Sequence, residues 1–302
     1  MIQLDISLIY GELREHLSTR ISFLPDKPEE TLDSTLRALW FAAAGQQKSA
    51  ELALFGELPA LDTTETSRLN DLVESRLGGT PLAHLTGRQH FMGMDMLAGP
   101  GALVPRKETE LLGAAAVERA NEFASKQGRA LVVDVCTGCG NIALAIANHV
   151  PNAVVFAADL SDDAVELGRR NAVHLGLEEQ VEFRVGDLLE PLATTDFFGQ
   201  VDVLTCNPPY INSVKVGQMP EETASHEPKL AFDGGPFGVG ILMRVLEEAP
   251  KFLRSGGWLG IEVGLGQGPL LAKRIEKSGA FLEVCPLTDQ NGDIRAIFAM
   301  CK

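Results

Sequence analysis

The chain has 302 residues, 45% hydrophobic and 22% charged, with 41 acidic side chains against 26 basic and a formal net charge of −15. That length and apolar fraction suffice for one large domain and a smaller one. The acidic balance, with no Lys/Arg-rich run, disfavours stable nucleic-acid binding, whose footprint is a basic stripe. Five cysteines (136, 139, 206, 285 and 301) are an odd number and point to reduced thiols in a cytoplasmic setting. Apolar runs are interrupted and of strand length, so no membrane span is expected, and Met1-Ile2-Gln3-Leu4-Asp5 shows no start of a signal peptide.

Residues 1 to about 85 carry helical periodicity. Leu4, Leu8, Ile9 and Leu13 make one apolar face. After Pro25 and Pro28, Glu29 and Glu30 open a second helix with acids in its first turn, followed by Leu32, Leu36, Leu39, Trp40 and Ala43. A short segment runs from Glu51 to Phe55. A fourth helix, Ser67 to Leu77, starts at Thr64 and Glu65 and ends at Gly78-Gly79. This reads as a bundle for packing and partner docking, without chemistry of its own.

Residues 86 to 110 form a join. Thr86 to Gly93 and Met94 to Leu97 read as two short strands about a Gly turn, and Gly99-Pro100-Gly101 as a breaker. Glu108 and Glu110 fall in the first turn of an apolar helix, Leu111 to Ala124, where complementing the helix dipole is the favoured local reading. His90 has no metal-ligand partner at a useful spacing.

The remainder, residues 111–302, reads as an α/β sheet. Ala130 to Val135 is a strand, Cys136-Thr137-Gly138-Cys139-Gly140 the turn after it, and Asn141 to Ala147 the helix it opens. Small residues there let backbone approach a ligand, with helix N–H groups aimed at it. No G-x-G-x-x-G is present, so an amino-acid-bearing nucleoside fits better than a pyrophosphate. Ala153 to Ala158 ends in Asp159, about 20 residues past the loop, where an acid bonds ribose hydroxyls; capping the next helix is its bland alternative. Val181 to Val185 leads to Gly186-Asp187-Leu188, where a carboxylate reaches an adenine amino group. Cys136 and Cys139 form C-x-x-C, but no second such pair or His pair follows, so no metal is expected.

The buried run Val201 to Cys206 stops at Asn207-Pro208-Pro209-Tyr210, since neither proline has an N–H for the ladder. The Asn207 amide accepts one hydrogen of a planar –NH2 group, a proline carbonyl accepts the other, and Tyr210 stacks on it. Asp134, Asp159, Asp187 and Asn207 thus converge at the carboxyl edge of one sheet, the ligand edge of open α/β folds. Ile211 to Ala224 reads as a loop over the cleft, continued by His226 to Gly235. A helix from about Gly240 to Phe252 and the strand Trp258 to Val263 follow. Leu282 to Leu287 and Ala296 to Met300 read as a closing hairpin. An antiparallel pair ending an otherwise parallel sheet fits a seven-stranded methyltransferase better than a dehydrogenase.

Asp134 to Gly140, Asp159, Asn207 to Tyr210, Glu227-Pro228 and Gly292-Asp293-Ile294-Arg295 resemble the bacterial release-factor glutamine methyltransferases (HemK/PrmC type). Pro105-Arg106-Lys107-Glu108-Thr109-Glu110 is similar to that family's Pro-Arg-Pro-Glu-Thr-Glu segment. The resemblance runs from about Gly78 to the C-terminus and is looser before it. It implies a seven-stranded Rossmann-like S-adenosylmethionine-dependent methyltransferase domain (111–302), an all-helical substrate-recognition domain (1–85) and a β-hairpin linker (86–110). It implies S-adenosylmethionine held by Cys136, Thr137, Gly138, Cys139, Gly140, Asp159, Asp187 and Leu188, with Asn207 beside it, and no metal. Asn207, Pro208, Pro209 and Tyr210 grip the substrate amide, the glutamine of a Gly-Gly-Gln loop in peptide-chain release factors. Three departures stand out: Cys136 for the family's usual Gly, Lys107 for its second proline, and Asp233-Gly234-Gly235-Pro236-Phe237-Gly238 for its Asp-Gly-Leu-x-Gly run. Glutamine methylation of a ribosomal protein, N6-methylation of adenine in RNA or DNA, and a non-catalytic cofactor-binding paralogue remain open at this point.

Overall fold

The computed structural model describes residues 6–236 and 238–302; Leu4 of the expected first helix and Phe237 of the expected loop lie outside them. The chain forms two units: Met1–Pro100 with Val104–Lys107 and Pro220–Glu227, and Gly101–Leu103 with Glu108–Met219 and Pro228–Lys302.

The first unit holds α1 (Ile6–Ser18), α2 (Leu32–Ala43), α3 (Ala50–Ala53), α4 (Thr63–Leu77), α5 (Leu82–Thr86) and the hairpin β1 (Arg88–Phe91) and β2 (Met94–Leu97). Leu17, Leu36, Leu39, Trp40, Phe41 and Leu69 are buried together as its core. A two-residue turn joins β1 to β2, with Met92 and Gly93 both at positive φ (47° and 84°), the backbone that closes a tight hairpin.

The start of α2 differs from expectation. Thr31 is its cap: the Thr31 hydroxyl accepts from Ser34 N (3.1 Å) and the Ser34 hydroxyl from Thr31 N (2.8 Å). Glu29 and Glu30 therefore precede the helix. Glu30 is instead buried on Arg76 (2.7 Å), whose other terminal nitrogen reaches Glu222 (2.7 Å), as does Lys27 (2.7 Å). A direct buried ion pair with a guanidinium outweighs half a unit of dipole charge.

The second unit begins with a single 3-10 turn, Lys107–Thr109, whose first residue belongs to the other unit, and α6 (Glu110–Gln127). Then come β3 (Ala130–Val135), α7 (Asn141–His149), β4 (Ala153–Asp159), α8 (Asp162–Leu175), β5 (Val181–Val185), β6 (Val201–Cys206) and α9 (Ser213–Val216). Next is α10 (Glu221–His226), which belongs to the first unit, and then α11 (Gly240–Phe252), β7 (Leu253–Glu262), α12 (Gly268–Ser278), β8 (Phe281–Thr288) and β9 (Ile294–Cys301). The seven strands are ordered β5-β4-β3-β6-β7-β9-β8, parallel through β7, with β9 antiparallel to both its neighbours. All six residues of β6 are buried, as a central parallel strand covered on both faces requires. No helix among the described residues is long and apolar enough to cross a membrane.

Candidate active site

The strand order sets β5, β4, β3 and β6 side by side and parallel, so the segments after Val185, Asp159, Val135 and Cys206 share one sheet edge. The loop after β3 is held from below. Asp134 is buried and accepts from the hydroxyls of Thr137 (2.5 Å) and Thr205 (2.7 Å). Burial pushes its carboxyl up to about 6, against the pull of those two hydroxyls and of the Ala143 amide. Asp134 thus shapes the loop rather than facing a ligand.

Cys136 (φ 55°), Gly138 (φ 57°) and Gly140 (φ 84°) all take left-handed backbone. A Cβ on Gly138 meets nothing within 4 Å, whereas one on Gly140 falls 2.7 Å from the Phe183 ring. Gly138 therefore borders open space, and Gly140 lets α7 start close against the sheet. The side chain of Cys136 is partly buried and packs against the core, close to the Cys206 thiol. Burial holds the Cys206 thiol well above its usual value and pushes Cys139 up to about 12, leaving neither as a thiolate at neutral pH. Among the described residues no group of three or more His, Cys, Asp or Glu side chains is placed to hold a metal ion.

Asp159 accepts from the backbone amides of Gly138 (2.8 Å) and Ser161 (3.0 Å). It does not cap α8; the Ser161 hydroxyl does, accepting from Ala164 N (3.2 Å). The Leu160 amide also bonds the Asp159 carboxylate, so its roughly four acceptor sites meet three amides and about one is left. Burial raises this carboxyl, and the amides of Ser161, Gly138 and Leu160 oppose the rise. Asp187 lies at the same edge but is gripped by both terminal nitrogens of Arg244 on α11 (3.1 and 2.9 Å). Leu188 has φ 51° and its side chain is buried in the core.

Past β6, Pro208 is buried while Asn207, Pro209 and Tyr210 are half-buried. Asn207 Nδ2 faces Thr109 Oγ1 at 3.4 Å. The Tyr210 hydroxyl stands between Glu262 Oε1 (3.3 Å) and Glu108 Oε1 (3.4 Å), and Arg295 closes on Glu108 (2.6 Å). The dipole role expected for Glu108 is therefore incorrect: it precedes α6 and turns toward Arg295 and Tyr210. Burial, with Glu262 and Glu108 adding to it, holds the Tyr210 phenol well above its usual value.

Glycines let the backbone close around this turn. A Cβ on Gly234 falls 2.5 Å from the Pro209 carbonyl, one on Gly238 2.3 Å from that of Tyr210, and one on Gly264 2.9 Å from the Tyr210 ring. Gln267 ties it further, donating to the Tyr210 carbonyl (3.0 Å) and accepting from Gly264 N (2.9 Å). Gly264→Ala forces the ring or Gln267 aside and is expected to cost about 1–3 kcal/mol of stability, as overpacking does; urea denaturation checks it. Thr109, Glu262 and Gln267 carried little sequence signal. For Glu262 it was a single acid ending an apolar strand.

Residues 119–225 match the family model described as "Methyltransferase small domain". Among solved structures, the hMettl16 catalytic domain in complex with a 3'UTR hairpin superposes with TM-score 0.55 at 14% identity, over 89% of this chain and 91% of that one; this shows the fold alone. Among curated relatives, the release factor glutamine methyltransferase of Moorella thermoacetica is 37% identical over 75% of this chain and 77% of its own. That of Geobacter sulfurreducens is 31% identical over 94% and 95%, and that of Bradyrhizobium diazoefficiens 33% identical over 90% and 88%. At 31–37% identity over three quarters or more of this chain and of each relative, the chain belongs to the release factor glutamine methyltransferase family.

Proposed function

We propose that this chain moves a methyl group from S-adenosylmethionine to the side-chain amide nitrogen of a protein glutamine, that of the Gly-Gly-Gln loop of a peptide-chain release factor. The observation that carries the reading is the Asn207 amide at the carboxyl end of β6, with Nδ2 turned inward to Thr109 and Oδ1 the atom left to accept from a substrate –NH2 group.

The residues after β3 and β4 fit the cofactor. The open side of Gly138 and the backbone of Cys136, Thr137, Cys139 and Gly140 line the space for its amino-acid and ribose parts. Asp159, with about one acceptor site left beyond its three amides, takes a ribose hydroxyl. At the adenine end, Asp187 is held by Arg244 and the buried Leu188 offers its backbone rather than its side chain. When bound, S-adenosylmethionine supplies an electrophilic methyl on a sulfonium, leaving S-adenosylhomocysteine.

The protein's own contribution is placement. An amide nitrogen is a poor nucleophile because its lone pair is delocalised. Asn207 Oδ1 and the Pro208 carbonyl accept its two hydrogens, orient the lone pair and stabilise positive charge as it grows on nitrogen. Tyr210 supplies a flat face for the amide. No strong base is required, because the proton becomes acidic only as the new bond forms.

The test is mass spectrometry of a release factor incubated with the protein and labelled S-adenosylmethionine. One methyl on the Gly-Gly-Gln glutamine is expected. Cofactor binding without any transfer to that residue overturns the substrate assignment.

A further inference from the structure

We propose that Arg295 is a positioning residue for Tyr210: by answering the charge of Glu108 it leaves the Tyr210 hydroxyl hydrogen to Glu262, and so holds the aromatic ring in one orientation. This rests on the reading of Tyr210 as the flat face offered to the substrate amide. The four side chains come from four places in the fold: Tyr210 after β6, Glu108 before α6, Glu262 at the end of β7 and Arg295 near the start of β9. The two strand residues are neighbours. Glu262 lies opposite Ala296 in the β7–β9 ladder, and Val263 N donates to the Arg295 carbonyl (2.9 Å).

The near end of Tyr210 is fixed by its backbone, whose carbonyl accepts from Gln267 (3.0 Å). The far end, the hydroxyl, is fixed by acids. It stands 3.3 Å from Glu262 Oε1 and 3.4 Å from Glu108 Oε1. A phenol has one hydrogen, and ionised carboxylates only accept. One of the two contacts must therefore set lone pair against lone pair. Arg295 selects which. Its terminal nitrogen lies 2.6 Å from the same Glu108 oxygen that faces Tyr210. Glu262 is 2% exposed, and its Oε2 has no hydrogen-bond partner among the described residues. The hydrogen goes to the acid whose charge is unmet, Glu262. The close approach to Glu108 is tolerated because Arg295 has already met that charge.

Arg295 is itself buried, and its Nε has no partner among the described residues, so water screens the group little. Burial, Glu262 and Glu108 hold the phenol well above its usual value, with Arg295 opposing, so the hydroxyl hydrogen is present throughout the working range. Without Arg295, two acids have equal claim on that hydrogen. The hydroxyl is then shared between two positions, and the ring tilts with it.

The experiment uses the full chain, labelled with ¹³C at tyrosine Cζ. Only Tyr10 and Tyr210 are present, so Tyr10→Phe leaves one signal to follow by NMR. Spectra and kinetics are taken above pH 7, since burial pushes the Glu262 carboxyl up to about 7 and it is ionised beyond that. In Arg295→Met the Tyr210 signal is expected to shift or split. With a release factor, kcat should fall about tenfold or more, as misplacing a group at a reacting centre does, while S-adenosylmethionine affinity is unchanged. Arg295→Lys keeps a cation for a contact made through one nitrogen, and should retain most of kcat. Adding Glu108→Gln to Arg295→Met removes the competing charge and should restore both signal and kcat. That double variant leaves Glu108 without a charge to strand, so it carries the test even where Arg295→Met alone does not fold. A wild-type Tyr210 signal in Arg295→Met overturns the proposal, as does a double variant whose signal stays split or whose kcat stays tenfold low. The spectra need no substrate: if they respond as expected while no glutamine is methylated, the function assignment fails and the positioning role stands.

Discussion

Asn207→Ala is expected to lower kcat for methyl transfer to glutamine about 10²–10³-fold, the usual cost of removing one preorganised polar group at a reacting centre. Affinity for S-adenosylmethionine should stay within a few-fold. The split follows from where the side chain sits. Asn207 comes after β6, while the loop offered to the cofactor follows β3 and is tied by Asp134, Thr137 and Thr205, none of which touches the Asn207 amide through a hydrogen bond in the structure. Alanine leaves the proline turn intact, because Gln267 and the close-packed glycines hold its backbone. On the role proposed for Asn207, what is lost is one acceptor for the amide hydrogens and the charge it offsets in the transition state. Single-turnover kinetics and calorimetric titration of the cofactor separate the two quantities. Near-normal turnover in this variant would sink the role given to Asn207.

Arg76→Met is expected to cost about 3–5 kcal/mol of stability, the range for breaking a buried ion pair by removing one partner. Arg76 is 2% exposed and faces two carboxylates, Glu30 and Glu222, each at 2.7 Å. Burial already raises the Glu30 carboxyl, with Arg76 the strongest influence opposing it. Without the guanidinium, Glu30 must stay protonated or remain buried and charged. Glu222 keeps Lys27 and is the less affected of the two. Methionine fills much the same volume, so the loss reports on charge more than on a cavity. Adding Glu30→Gln should recover part of it, since the stranded charge then disappears. Urea unfolding of both variants measures this; a loss under about 1 kcal/mol for Arg76→Met contradicts the account.

The sequence marks the sheet edge clearly because its signals there are local. Two prolines end β6 whatever surrounds them, and a small-residue turn after an apolar run announces the loop after β3. The order and type of nearly every strand followed from apolar runs and turn residues. Less legible were residues whose partners are far along the chain. Glu30 and Glu108 looked like acids serving a helix dipole, yet each is bonded to an arginine on another element, Arg76 and Arg295. Glu262 gave only its own oddity in an apolar strand. Cys136 stood out only as a departure from the family's Gly, and only packing shows it partly buried beside Cys206. The polar stretch after Tyr210 read as one loop, but it contains α9 and α10, and α10 carries the partner of Lys27, 195 positions away.

That last feature limits how the chain can be cut and rejoined. Pro220–Glu227 is flanked on both sides by residues of the second unit but belongs to the first. There it supplies Glu222 to Lys27 and Arg76, and Glu227 to Arg106. Neither unit is a continuous stretch, so neither is a cassette. A chimaera that takes its first hundred residues from one family member and its sheet from another inherits Glu222 without the matched Lys27 and Arg76. The front helices and this eight-residue insert must therefore be exchanged, and over evolutionary time must drift, as a single package.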